Sequence, residues 1–191
     1  MRRFHVCLFA LALGVAAPAA AQVPGLDIDI RFGGSSSNLS ETPVDFEDSN
    51  SEIGYFVGGD VRFGKFFFVQ PGFYYQHQVV GLTPEVGAES SNLGISSIMI
   101  PVQLGLNVDL KVVEAELGFG PTIAFNTSVG DNDFGLVKDN TNNTRFGALA
   151  SANVRVLFIT LWGGYQFDGT EAIKDGNAKL NQWMLGLGFN F

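Results

Sequence analysis

The side chains able to do chemistry are few, and most are charges at alternating positions. Asp27, Asp29 and Arg31 take every second place in one segment, as do Asp60 with Arg62, and Glu114 with Glu116; Arg155 ends a further segment. Every second residue of an extended strand shares a face, so neighbouring strands would bring these eight side chains together. Ions shielded from water need partners or are severely penalised. The expectation is an interior ion-pair network that fills and closes a lumen, with an ion or proton path as its alternative.

Nucleophilic catalysis finds little to work with. Beyond residue 21 the chain has no cysteine and one histidine, His77. A hydrolase needs a nucleophile, a base and an orienting group within hydrogen-bond reach. By strand parity His77 points away from the polar face, with no acidic residue at an adjacent alternating position. A rim histidine contacting lipid headgroups is the reading; a lipid-modifying enzyme working from the membrane face is the weaker rival. Asp131 and Asp133, with Asp139 nearby, could gather a divalent cation through oxygen ligands, for instance to bridge lipopolysaccharide phosphates, but a complete calcium loop is lacking. They are read as solvated acids. The GFGPTI stretch at 118–123 lies mid-strand, without phosphate-loop context, and the Asn38, Asn126 and Asn142 triplets read as polar loops rather than glycosylation sites. No catalytic, metal or cofactor site is assigned.

These residues must be positioned by an unusual chain. Of 191 residues 46% are hydrophobic and only 16% charged, with 24 glycines and 18 phenylalanines. Low charge and many aromatics argue against disorder. Eleven basic against 19 acidic residues exclude a nucleic-acid partner. Arg2 and Arg3, the apolar stretch from Phe4 to Val15 and the small residues Ala19, Ala20 and Ala21 read as a secretory signal over 1–21, cleaved before Gln22. The remaining 22–191 carries a net charge of −10 and no cysteine, so no disulfide supports it. Beyond the N-terminus no apolar run approaches the ~18 residues of a spanning helix.

In 22–191 the hydrophobic period is two. Eight segments alternate, at 26–33, 53–63, 66–77, 94–107, 112–126, 145–155, 158–168 and 180–191, separated by 19, 2, 16, 4, 18, 2 and 11 residues. Long and short connections alternate throughout, as in an antiparallel up-and-down sheet with tight turns at one end. Short periplasmic turns and long outer loops are the asymmetry of outer-membrane barrels. The fold class read here is all-β: an eight-stranded antiparallel up-and-down transmembrane β-barrel in a bacterial outer membrane.

Alternation alone does not say which face meets lipid; charge does. Lys65, Lys111, Lys138, Lys174 and Lys179 all fall in turns or loops, and no charged residue lies on the apolar face of any segment. The polar face is mostly Gly, Ser, Asn, Gln and Thr, small enough for the narrow interior of an eight-stranded barrel. The apolar face therefore meets lipid, with Tyr55, Tyr75 and Trp183 near one interface and Phe63, Phe67 and Phe191 near the other. Barrel closure is required because unpaired backbone groups are not tolerated in hydrocarbon. Pro71, Pro101 and Pro121 lie inside strands, each removing a ladder hydrogen bond; bulges or solvated interior sites are expected there.

The stretches FVQPGFYYQ (68–76), IPVQLG (100–105) and AELGFGP (115–121) resemble the PorT-like outer-membrane β-barrel family of Bacteroidota and relatives, although Gln76-His77-Gln78 replaces the Lys-Gly that often follows the tyrosines there. The resemblance implies a small outer-membrane barrel, with secretion-related roles in some members. Trp183, Leu185, Leu187, Phe189 and Phe191 look like the C-terminal signal read by the barrel-assembly machinery. Glu41, Asp45, Glu47, Asp48 and Glu52 make the first long connection acidic, without a basic residue between 34 and 52. The reading is a non-enzymatic barrel with a side-chain-filled lumen and long acidic outer loops, serving envelope integrity, adhesion or secretion-related interactions. Its expected partners are outer-membrane lipid, lipopolysaccharide, the assembly machinery and an extracellular or secretion-system protein. A transporter of ions or small solutes is the alternative.

Overall fold

A computed structural model describes residues 25–40, 46–84, 91–130, 141–172 and 178–191. The proposed signal segment and Asp131, Asp133 and Asp139 lie outside them. Eight strands follow in chain order: β1 Leu26–Leu39, β2 Phe46–Gly64, β3 Phe67–Pro84, β4 Ser91–Asp109, β5 Val113–Val129, β6 Thr144–Val156, β7 Ile159–Glu171 and β8 Lys179–Asn190. Each pairs antiparallel with the next, and β1 pairs with β8 from Asp29↔Asn190 to Leu39↔Leu180, closing the barrel. The terminal residue takes part: Phe191 N–H donates to the Ile28 carbonyl at 2.9 Å. No described helix is long and apolar enough to cross a membrane, which leaves crossing by strands open.

The strands are those expected from the alternation, but they run further at the loop end. β2, β3 and β4 reach 19, 18 and 19 residues, whereas a tilted membrane strand needs only about 9–11. The turn end stays tight. Gly64 takes φ 115° to enter its turn, and Lys111 and Leu157 adopt the left-handed conformation in the other two.

The prolines do not bulge the sheet. Pro71 stands opposite Val102, and the same register resumes at Tyr74↔Met99. Pro101 stands opposite Thr122 and Pro121 opposite Ala148, again without a slip. Register shifts occur elsewhere, between Phe46 and Asp48, Ser51 and Tyr55, Ser96 and Ser97, and Phe167 and Glu171, all toward the loop end. At one of them Thr127 is the extra residue, and its hydroxyl donates to the Ser96 carbonyl at 3.1 Å. A missing N–H costs a proline one ladder bond, whereas a bulge needs an additional residue on one strand, and these positions have none.

Glycine lets aromatic rings lie flat inside so narrow a cylinder. A β-carbon on Gly186 would come within 2.7 Å of the Phe56 ring, and one on Gly58 would meet Tyr74 as closely.

Candidate functional site: a layered lumen

All eight charged residues singled out from the sequence face the lumen at the turn end and form one connected set of ion pairs. Arg62 donates to Asp27, with Nε at 2.8 Å from Oδ2, contacts Glu116, and lies 3.4 Å from Glu114. Arg155 reaches Glu114 at 3.0 Å and both Asp29 and Glu116 at 3.1 Å. Arg31 lies 3.2 Å from Asp29 and 3.2 Å from Asp60, and Asp60 also accepts from the Tyr74 hydroxyl. The guanidinium groups are buried, and the carboxylates of Asp27 and Glu114 are partly exposed at the mouth.

Above this network sits an aromatic layer. Phe56, Tyr74, Met99, Leu149, Trp162 and Met184 are buried against one another, with the Phe56 and Trp162 rings 5.1 Å apart. The Arg31 guanidinium lies 5.7 Å from the Trp162 ring, joining the two layers through a cation–π contact.

A third layer is polar, and the sequence reading had not assembled it. Arg145, fully buried, pairs with Asp168 and donates to Gln78 Oε1 at 2.7 Å and to Asn126 Oδ1 at 3.2 Å. Gln182 donates to Gln76 at 2.6 Å and to Gln166 at 2.7 Å. The inward parity of Arg145 and Asp168, on adjacent strands with opposite charge, was the signal for this pair.

The outermost layer is apolar again: Leu39, Val80, Leu82, Leu93, Ile95, Ala172, Ala178 and Leu180 pack on the lumen side at the loop end, with Val129 against them. Ion network, aromatic layer, amide layer and apolar cap thus succeed one another along the axis.

His77 faces outward near the loop end. Its Nδ1 lies 2.9 Å from Ser96 Oγ and its ring 5.3 Å from that of Tyr55. Among the described residues no group of acidic, histidine or cysteine side chains is arranged to hold a metal. Trp183, Leu185, Leu187, Phe189 and Phe191 also point outward and are exposed.

Residues 6–191 match the model of the outer membrane protein beta-barrel domain. The chain belongs to that family. Its place is the bacterial outer membrane. Among solved structures it is similar to Neisserial surface protein A, at 14% identity and a TM-score of 0.54, covering 87% of this chain and 97% of that one. It is similar also to Ail, the attachment invasion locus protein of Yersinia pestis, crystallised with the heparin analogue sucrose octasulfate. There the identity is 14% and the TM-score 0.50, over 87% of this chain and 99% of Ail. At such identities these likenesses concern the fold. No curated protein sequence matches the chain.

Placing this outer-membrane barrel in its bilayer explains the lumen layers and the long strands together. The exposed apolar coat runs from Phe66, Leu110 and Phe158 at the turns to Tyr55 and Trp183, a span that suits a hydrocarbon band about 25 Å tall with aromatic girdles. Tyr165 and Trp183 touch at the upper girdle, their rings 4.6 Å apart. Beyond it the rule inverts: Val80, Leu82, Leu93 and Ile95 turn inward, while Asn50, Asn92 and Ser128 face out. Inside the bilayer apolar surface belongs outside; above it, water drives apolar surface into the barrel. The surplus of roughly eight residues in β2, β3 and β4 corresponds to a collar standing on the order of 20 Å clear of the lipid.

Proposed function

We propose that this barrel is a non-enzymatic, non-conducting envelope protein that acts through its extracellular collar and acidic loops. The observation that carries the reading is the lumen: among the described residues, side chains from all eight strands fill it in four successive layers. The segment 1–21 serves as an export signal, and the motifs around Pro71, Pro101 and Pro121 support placement in the PorT-like group.

Charge narrows the partner. Glu41, Asp45, Glu47, Asp48 and Glu52 repel polyanions, so the polysulfated sugar bound by Ail does not suit this chain. A basic protein surface, or lipopolysaccharide phosphates bridged by divalent cations, suits it better. The reading fits adhesion, envelope integrity and assistance to a secretion system. His77, hydrogen-bonded to the buried Ser96 hydroxyl, forms part of the upper girdle, where its imidazole meets headgroups.

Two measurements test this. Planar-bilayer recordings of the full chain should show no stable conductance, and nanosiemens steps would refute a closed lumen. Pull-down from native outer membrane should retain a partner with the full chain and lose it when those five acids become Asn and Gln; equal capture by both would refute the acidic loops as the binding surface.

A further inference from the structure

We propose that the outer wall of the barrel over β1, β8, β7 and β6 carries a docking groove for lipid A, the acylated sugar phosphate of lipopolysaccharide. The groove, about 950 Å³, is cut into the apolar coat at the depth of the outer leaflet. Its floor is made of small outward residues: Gly34 and Ser36 on β1, Ala150 and Ala152 on β6, and Gly163 on β7. Between them rises a ridge on β8. Trp183 and Leu185 pair with Ser36 and Gly34 on one side, and with Tyr165 and Gly163 on the other. Two furrows therefore flank one ridge. The β1 furrow ends below where Phe32, opposite Leu187, stands out again, and it leads upward toward the loop end, where a lipid carries its head.

Packing within the barrel does not account for this floor. A β-carbon on Gly33 or Gly120 would collide with a carbonyl of the adjoining strand, so the fold itself requires those glycines. A β-carbon on Gly34 would meet nothing nearer than 3.8 Å, and one on Gly163 nothing nearer than 3.9 Å. Neither residue has a positive φ. Glycine inside a strand costs stability, and neighbouring lipid-facing positions carry Phe32, Leu161 and Leu187. Room for a side chain is left open on a surface that otherwise fills it.

Polar groups continue the groove upward. Above Ser36 and Trp183 the next outward pair is Asn38 and Asn181, and above that Ser40 meets Lys179, its N–H donating to the Lys179 carbonyl at 2.8 Å. Lys179 is exposed, and among the described residues its ammonium enters no ion pair, although Glu171 is its ladder neighbour. It stands four residues beyond the girdle tryptophan, about 13 Å along the strand. A phospholipid places its phosphate near the girdle, whereas a sugar-phosphate head rises past it to the amides and the ammonium. Acyl chains reach the furrows directly, because the groove is continuous with the lipid coat, and the lysine complements an anionic head.

The test folds the full chain in detergent micelles and titrates it with Kdo2-lipid A, with phosphatidylglycerol and with phosphatidylethanolamine, counting bound lipid by native mass spectrometry. One Kdo2-lipid A should bind saturably and more tightly than either phospholipid. It should stay bound in EDTA, which separates this groove from cation bridging at the acidic loops. Gly34→Leu and Gly163→Leu fill the furrows where a side chain has room, and each should weaken binding by roughly tenfold, the loss of about two buried methylenes. Lys179→Gln should weaken it by roughly fivefold. Ala115→Leu adds bulk to the exposed coat of β5, away from the groove, and should leave binding unchanged. The proposal is overturned if a phospholipid binds as tightly as Kdo2-lipid A, if EDTA releases the lipid, or if affinity ignores the glycine and lysine substitutions. It is overturned equally if Ala115→Leu weakens binding as much as the furrow variants do, or if the furrow variants instead abolish a dimer of this chain.

Discussion

The Arg155 guanidinium lies 3.1 Å from the Asp29 carboxylate, although the two residues stand on β6 and β1, which do not pair, and are 126 positions apart. The contact crosses the lumen. Arg62 on β2 does the same toward Glu116 on β5. Backbone ladders fix each strand to its neighbours, and these side chains tie opposite walls, so the turn end is held both around its circumference and across its diameter.

Removing one partner from such a network should cost more than any surface change. Arg155→Ala leaves Glu116 and Asp29, both fully or nearly buried, short of a counter-charge, and breaking a buried pair typically costs about 3–5 kcal/mol. Denaturant unfolding in lipid vesicles should show a loss of that size. A loss below about 1 kcal/mol would mean that water enters the mouth freely and screens the charges.

Arg145 and Asp168 offer a cleaner test of pairing inside the barrel, because they form a separate charged pair of the amide layer. Arg145→Met and Asp168→Leu should each destabilise by several kcal/mol, whereas the double variant should cost far less than their sum, since no lone charge then remains. Additive losses in the double-mutant cycle would show that the amides around Arg145, rather than Asp168, carry its stabilisation.

Much of this was legible in the sequence because lipid and lumen differ so sharply across a single strand. Alternation placed Asp29, Arg31, Glu116 and Arg155 on one face, and closure then had to bring them together. The outer ends of the strands were hidden by the same rule. In β4 the aliphatic residues occupy lumen positions at Leu93 and Ile95 and lipid positions at Ile98, Ile100, Val102, Leu104 and Leu106, so a pattern keyed to one apolar face stops at the girdle although the strand continues. That switch marks the membrane boundary and could have been read as such. The prolines misled only as to bulges: pairing is interrupted beside Pro71 and Pro101 but resumes in the same register, since a lost N–H does not require an added residue.

The boundary itself can be measured by placing charge on either side of it. Leu185, outward and 64% exposed, lies within the apolar band, where an arginine should cost about 2–4 kcal/mol. Asn92 faces outward above the girdle, and Asn92→Arg should change stability by no more than about 0.5 kcal/mol. Leu82→Arg, at a similar height but pointing inward, should prevent stable folding because the apolar cap has no partner for the charge. If Asn92→Arg costs as much as Leu185→Arg, the collar lies in lipid and the placement is wrong.

Phe191 sits at the seam between β1 and β8. Phe191 pairs its backbone with Ile28 through Phe191 N–H to Ile28 O at 2.9 Å and Ile28 N–H to Phe191 O at 3.3 Å, while its ring stays exposed on the coat. Deleting it removes two closing contacts near the β1–β8 seam, and the remaining register from Asp29↔Asn190 to Leu39↔Leu180 is long enough to keep the finished barrel shut. The stability of barrel refolded in detergent should therefore fall only modestly, by about 1–2 kcal/mol. Assembly in cells should suffer more, because the aromatic end of the alternating Trp183–Phe191 series is what the assembly machinery would read. Heat-modifiable, membrane-inserted protein recovered from cells should drop several-fold for the deletion and return when Phe191 is replaced by Trp. Normal insertion of the deleted chain would leave the terminal ring with only its lipid contact to explain it.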